Sequence, residues 1–193
     1  LINANKLINV SFNTYRLLFV GNEMFNDPLN IPINNFNSLI ANSFHLKEWG
    51  LTNEISQLAG NSPLEVVSDN ESLKVYDRCC TSHQVGLPIY YLSYLNKNEN
   101  FMTLASTTND QNDVVIGTLK KGSELSNNKT SKGRSCFYGI LESRFWTDEA
   151  KELFKQCTLF AIGSTDNDND GFTEELDCND NNAAIHSGAT EIH

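Results

Sequence analysis

Asp166, Asp168 and Asp170 alternate along one short polar stretch, Gly171 follows them, and Asp177 comes next in register. Counted from Asp166, carboxylates occupy loop positions 1, 3, 5 and 12, and the glycine occupies position 6. Such a pattern suits a hard divalent cation. Ca²⁺ takes about 6 to 8 oxygen ligands at about 2.3–2.6 Å, so one short segment must bend round the ion and offer donors on alternate residues. Here the donors are the side chains of Asp166, Asp168 and Asp170, the backbone carbonyl of Phe172, and the carboxylate of Asp177. Glu174, at position 9, reaches the ion directly or through a water. Gly171 allows the turn that a side chain would obstruct. Runs rich in Asp, Asn and Gly also serve as solvated linkers, but alternating aspartates with glycine in register and an acidic closer favour the metal.

The closing residue is Asp where an EF-hand loop carries Glu, and its shorter stem draws the ion toward the second half of the loop. In this it resembles the loops of dockerins and thrombospondin type 3 repeats. The run Asp170-Gly171-Phe172, then Asp177-Cys178-Asn179-Asp180, then Asn182-Ala183-Ala184-Ile185 and Gly188-Ala189-Thr190-Glu191-Ile192 resembles the MopE-type metal-binding repeat. His186-Ser187 stands where that family usually has Pro before Gly-Ala. The resemblance is confined to residues 164–193 and implies a secreted or cell-surface protein with a structural or adhesive role.

Composition bounds the rest. A chain of 193 residues with 39% hydrophobic content has room for one domain with a true core and a small appendix. Its net charge of −10 and pI near 4.8 argue against nucleic acid or an anionic membrane as partner, because both require a basic face. No stretch approaches the 18 or so apolar residues of a membrane span. The chain opens on Leu1, which reads as a processed chain or a segment of something longer. Five cysteines allow two disulfides and one remaining thiol. Adjacent Cys79 and Cys80 do not readily pair with each other, and Cys136, Cys157 and Cys178 are the other partners, with the connectivity open. Zinc is disfavoured, since no Cys-x₂-Cys or His-x₃-His spacing occurs. Disulfides and a calcium loop together point to an oxidising, extracellular setting.

The elements that must hold the loop are read from periodicity. Ile8, Val10 and Phe12 alternate with polar residues as in an edge strand, within an N-terminal arm over residues 1–14. Residues 16–22 form an apolar run ending in Gly-Asn, the form of a central parallel strand. Asn, Pro28 and Pro32 break any period over 26–42, which reads as loop with short pieces of structure, and residues 46–59 read as a helix or two short ones, interrupted at Gly50. Strands are expected over 63–68, 89–95, 101–105, 113–119 and 133–141, the second and third separated by a polar turn at 96–100. Thr147 is the expected N-cap of a helix with Asp148 and Glu149 in its first turn, Ala150, Leu153, Phe154 and Cys157 on one face, and its end near Gly163. The domain boundary is expected at Ser164.

Asp113-Val114-Val115-Ile116, Lys121-Gly122, Gly133-Arg134, Phe137-Tyr138-Gly139 and the span from Thr147-Asp148 to Leu153-Phe154 resemble, in series, the C-terminal part of ThuA-like and class I glutamine-amidotransferase-like domains. The resemblance implies an α/β fold: a flavodoxin-like, three-layer domain over residues 15–163, carrying the EF-hand-like calcium loop at 164–193. An amidotransferase needs a cysteine on a glycine-flanked elbow with His and Glu beside it, and Cys79-Cys80 has no such glycines, with His83 in a polar loop. His45, His186 and His193 are isolated, and Tyr90, Tyr91 and Tyr94 could line a glycan site but at strand spacing read as core and edge. The sequence therefore predicts a non-catalytic α/β domain with a Ca²⁺ loop, in a secreted protein that assembles end to end with itself into a polymer or filament. The competing expectation is a secreted hydrolase or carbohydrate-binding domain that calcium merely stabilises.

Overall fold

The computed structural model describes residues 12–54, 56–58, 65–77, 87–93, 99–163, 179, 181–182 and 184–185. Its strands are β1 (Leu18–Val20), β2 (Ser38–Ile40), β3 (Gln57–Leu58), β4 (Glu65–Ser68), β5 (Glu71–Lys74), β6 (Tyr90–Tyr91), β7 (Met102–Thr107), β8 (Val114–Leu119) and β9 (Ser135–Tyr138), followed by the helix α1 (Asp148–Ile162). Seven strands make one sheet in the order β1-β2-β9-β8-β7-β4-β5, and β3 pairs separately with β6. The pairs β1/β2 and β2/β9 are parallel, whereas β9/β8, β8/β7, β7/β4 and β4/β5 are antiparallel. The result is a mixed α/β fold.

β8 lies at the middle of the sheet because its sequence, Val-Val-Ile-Gly-Thr-Leu, has no face that prefers water, and all six residues are buried. On one side of the sheet, Leu39, Val115, Cys136 and Tyr138 meet Ala150, Leu153, Cys157 and Ala161 of α1. On the other, Val20, Ile40, Leu119 and Phe137 meet Ile31, Ile33, Leu46, Trp49, Leu51 and Leu125. That second cover is built from connecting segments and 3₁₀ turns at Pro28–Asn30 and Ile33–Asn35. Trp49 anchors it, fully buried, with its indole N–H donating to the Pro28 carbonyl at 2.9 Å. Full burial of side chains of this size contributes about 1.5–3 kcal/mol each, so a loop layer can seal a sheet face as a helix would.

α1 forms where its sequence signals place it. The Thr147 hydroxyl accepts the Ala150 N–H at 3.2 Å and donates to the Lys74 carbonyl at 2.7 Å, capping the helix and pinning its start to β5. Asp148 pairs with Lys151 at 2.7 Å, which lowers the carboxyl pKa and raises that of the amine. Gly163 ends the helix with φ at +93°, its N–H shared between the Leu159 and Phe160 carbonyls.

Several expectations are corrected. The run around β1 is parallel as expected, but it lies at the sheet margin rather than the centre, with Phe19 56% exposed. Residues 46–51 make a hydrogen-bonded turn, not a long helix, because Gly50 takes φ of +76° and Leu51 N–H closes back on the Leu46 carbonyl. β2, inside the segment read as loop, is a fully buried strand between β1 and β9. β7 pairs with β8 and β4, and β6 with β3, so the strands either side of the 96–100 turn are not partners. Asp69 and Asn70, both at positive φ, join β4 and β5 into a hairpin. Of the N-terminal strand, Phe12 falls in a 3₁₀ turn and packs on Phe36 at 5.6 Å, and residues 1–11 lie outside the described residues.

Candidate functional site

All six expected ligands, Asp166, Asp168, Asp170, Phe172, Glu174 and Asp177, lie outside the described residues. What is described is the support from which that segment departs. α1 stops at Gly163, and three residues on, the sequence reaches Asp166. A disulfide joins Cys136 of β9 to Cys157 of α1, with both residues fully buried and Cα atoms 5.6 Å apart. The open connectivity is thereby fixed for one pair, while Cys79, Cys80 and Cys178 lie outside the described residues. Tyr138 adds a second tie, its hydroxyl donating to the Ala150 carbonyl at 2.6 Å, and burial holds the phenol pKa well above its ordinary value. The C-terminal segment therefore leaves from a helix held to the centre of the sheet by a covalent bond and a buried hydrogen bond. Among the described residues, no group of three or more His, Cys, Asp or Glu side chains could hold a metal ion.

The carboxyl ends of β1 and β2 are where an open α/β sheet usually receives a ligand. In this chain they are filled by its own side chains. Fully buried Asn42 donates to the carbonyls of Gly21 and Glu23, both at 2.8 Å, and its Oδ1 accepts the N–H groups of Phe44 and His45. Asn22 Oδ1 accepts the N–H and the hydroxyl of Ser43. His45 Nε2 accepts the Phe25 N–H at 2.8 Å, so the neutral ring carries its proton on Nδ1, which faces Glu48 at 3.8 Å. The Ser43 hydroxyl is engaged with Asn22, so it is not poised for activation by His45. This cluster clamps the two loops together. Asn42→Ala strands two carbonyls and two N–H groups, and a loss of about 2 kcal/mol is expected in urea unfolding, with the denaturant slope unchanged.

At the opposite end of the sheet, Tyr15, Arg16, Asn35, Asn37, Lys132 and Ile162 line an open cleft of about 280 Å³. Asn37 organises it by accepting the Arg134 N–H at 3.0 Å and donating to the Ile162 carbonyl at 3.4 Å, where it helps to cap α1. Arg134 lies over the Phe160 ring at 5.6 Å. Arg16 and Lys132 share the cleft with Ile162, so positive charge stands near the carbonyl end of α1. No spacing in the sequence announces this cleft, since its residues come from separate segments.

The tyrosines are split. Tyr90 and Tyr91 form β6 and are half-buried, the Tyr91 phenol being raised by burial and by nearby Asp113, while Tyr94 lies outside the described residues. His83, His186 and His193 also lie outside them. Comparison with protein families, with characterised proteins and with solved structures gives no match.

Proposed function

We propose that the chain is a secreted or cell-surface structural protein whose α/β domain anchors a calcium-ordered C-terminal segment and associates with copies of itself. The observation that carries this reading is the donor set. Asp166, Asp168, Asp170, the Phe172 carbonyl, Glu174 and Asp177 offer only oxygen, at the spacing a calcium loop requires, and hard oxygen donors fit Ca²⁺ rather than zinc. Without an ion these carboxylates repel one another, so binding would order the segment. The buried Cys136–Cys157 disulfide supports an oxidising compartment. A segment that leaves α1 just past this crosslink would pass tension to β9 through a covalent bond.

In the finer fold assignment, the domain is a flavodoxin-like three-layer domain of ThuA/amidotransferase type. It is supported by the order β8, β9, α1 over the stretch that carries the resemblance, and by the parallel β1, β2 and β9. Its role here is structural.

Calcium titration by calorimetry, with thermal melting and light scattering on the same samples, tests the reading. The native chain is expected to bind, to gain about 2.7 kcal/mol at a free Ca²⁺ one hundred times Kd, and to scatter as a larger species. Asp166→Ala/Asp170→Ala is expected to lose all three responses. Absence of binding by the native chain would remove the anchor of this proposal.

A further inference from the structure

The two margins of the sheet are built differently. β5 ends one side with Glu71 and Lys74, and charged residues of this kind discourage strand addition. β1 ends the other side, and residues 17–22 (Leu-Leu-Phe-Val-Gly-Asn) carry no charge. In its parallel ladder, Leu18 N–H donates to the Asn37 carbonyl and the Val20 carbonyl accepts the Ala41 N–H. Leu18 and Val20 thus bond inward to β2, and the alternation of a strand turns the N–H and C=O of Phe19 outward. Exposed large apolar side chains occur along this stretch of chain, as they also do at Phe44, Met102 and Ile185. Tyr15, Phe19, Met24 and Leu29 are 54%, 56%, 75% and 68% exposed, and all four belong to β1 or the segments flanking it. Among the described residues β1 has no strand partner beyond its outer edge, and an uncharged strand edge flanked by exposed apolar side chains marks an interaction surface.

We propose that the outer edge of β1 is a self-pairing seam, at which a second copy of this chain adds its own β1 antiparallel about a two-fold axis through Phe19. This deepens the self-association in the reading above and rests on it for the meeting of copies, but not on its calcium. The edge is complementary to itself. With Phe19 opposite Phe19 of the second copy, each residue's N–H and C=O meet the other's C=O and N–H, which is the hydrogen-bonded pair of an antiparallel ladder. The same register sets Leu18 against Val20 and Leu17 against Gly21, where a side chain would meet nothing within 4 Å. Arg16 falls opposite Asn22 and Glu23 opposite Tyr15, so no like charges face each other in a chain whose net charge of −10 otherwise resists association. The two Phe19 rings lie side by side on the face that carries α1, each near its own Phe154 at 6.4 Å. A two-fold seam closes on itself, so it makes a dimer and leaves both C-terminal segments for other contacts.

The test is sedimentation of the full chain over a range of concentrations, in calcium and in chelator, with Phe19→Lys and Phe19→Pro. The native chain should form a dimer in both conditions. Phe19→Lys places two cations at the axis, and Phe19→Pro deletes an N–H that takes no part in the ladder to β2; each should weaken the dimer at least tenfold. Hydrogen exchange on the native chain gives a readout independent of any variant's folding. Exchange of the Phe19 amide should slow as concentration rises, while the amides of Leu18 and Val20 stay protected throughout. A native chain that remains monomeric, a dimer untouched by both substitutions, or a Phe19 amide indifferent to concentration would overturn the seam. Association of the native chain that appears only in calcium, with no dimer in chelator, and that survives Phe19→Lys would overturn the seam and leave the calcium reading standing. A Phe19-dependent dimer in a chain that binds no calcium would do the reverse.

Discussion

A chain carrying Cys136→Ala and Cys157→Ala is expected to melt about 10 °C below the native chain, and a reduced native sample is expected to fall short by the same amount. The crosslink spans 21 residues of sequence, and closing a loop of that size removes about 3 kcal/mol of unfolded-chain entropy. For a domain of this length each kcal/mol moves the midpoint by about 2–4 °C. The effect should be concentrated at the C-terminal end of the fold, because Leu153, Ala161 and the Tyr138 hydrogen bond would still hold α1 on the sheet, but without the covalent tie. Scanning calorimetry of the double variant checks the magnitude, and hydrogen exchange along α1 checks the location. A midpoint within 2 °C or so of the native value would show that packing alone secures the helix, and the mechanical part of the proposed function would lose its basis.

What the sequence discloses and what it conceals divide along physical lines. α1 was legible because several signals agree within a few residues: a capping Thr147, acids in the first turn, a periodic apolar face, and a terminal Gly163, each matched by the structure. β8 was legible because six consecutive residues avoid water. β2 was not, since three residues, Ser38–Ile40, flanked by asparagines and following two prolines offer no period to count; their burial comes from being wedged between β1 and β9. β1 reads as a central strand because its residues are apolar on both sides, and the structure instead leaves that surface at a margin. The candidate metal ligands depend only on local spacing, which a single stretch of sequence can carry. The clamp of Asn22, Asn42 and His45 depends on two loops meeting some twenty residues apart, and in a chain so rich in Asn no single one stands out. The charge difference between the β1 and β5 edges becomes informative only once the strand order is known.

Gly139 carries the other large expectation. It follows β9 where the chain passes between two neighbours, donating its N–H to the Val115 carbonyl and accepting the Tyr90 N–H, both at 2.9 Å. A Cβ at this position would overlap the Tyr90 carbonyl oxygen and crowd that of Val115, both backbone atoms that cannot swing aside as a flexible side chain would. Gly139→Ala therefore has to separate β9 from the segment around β6 or break one of the two hydrogen bonds, and a cost of about 3 kcal/mol or more is expected. Gly122→Ala supplies the contrast: its φ of +87° is strained for alanine, but a Cβ there meets nothing within 4 Å, so about 1 kcal/mol is expected. Urea unfolding of the two variants side by side separates conformational strain from collision. Equal losses would mean that the β6 segment yields freely. A loss at Gly139 several times larger would show that the Phe137-Tyr138-Gly139 stretch ends in glycine because the sheet and the strand pair beside it meet there without room for a side chain.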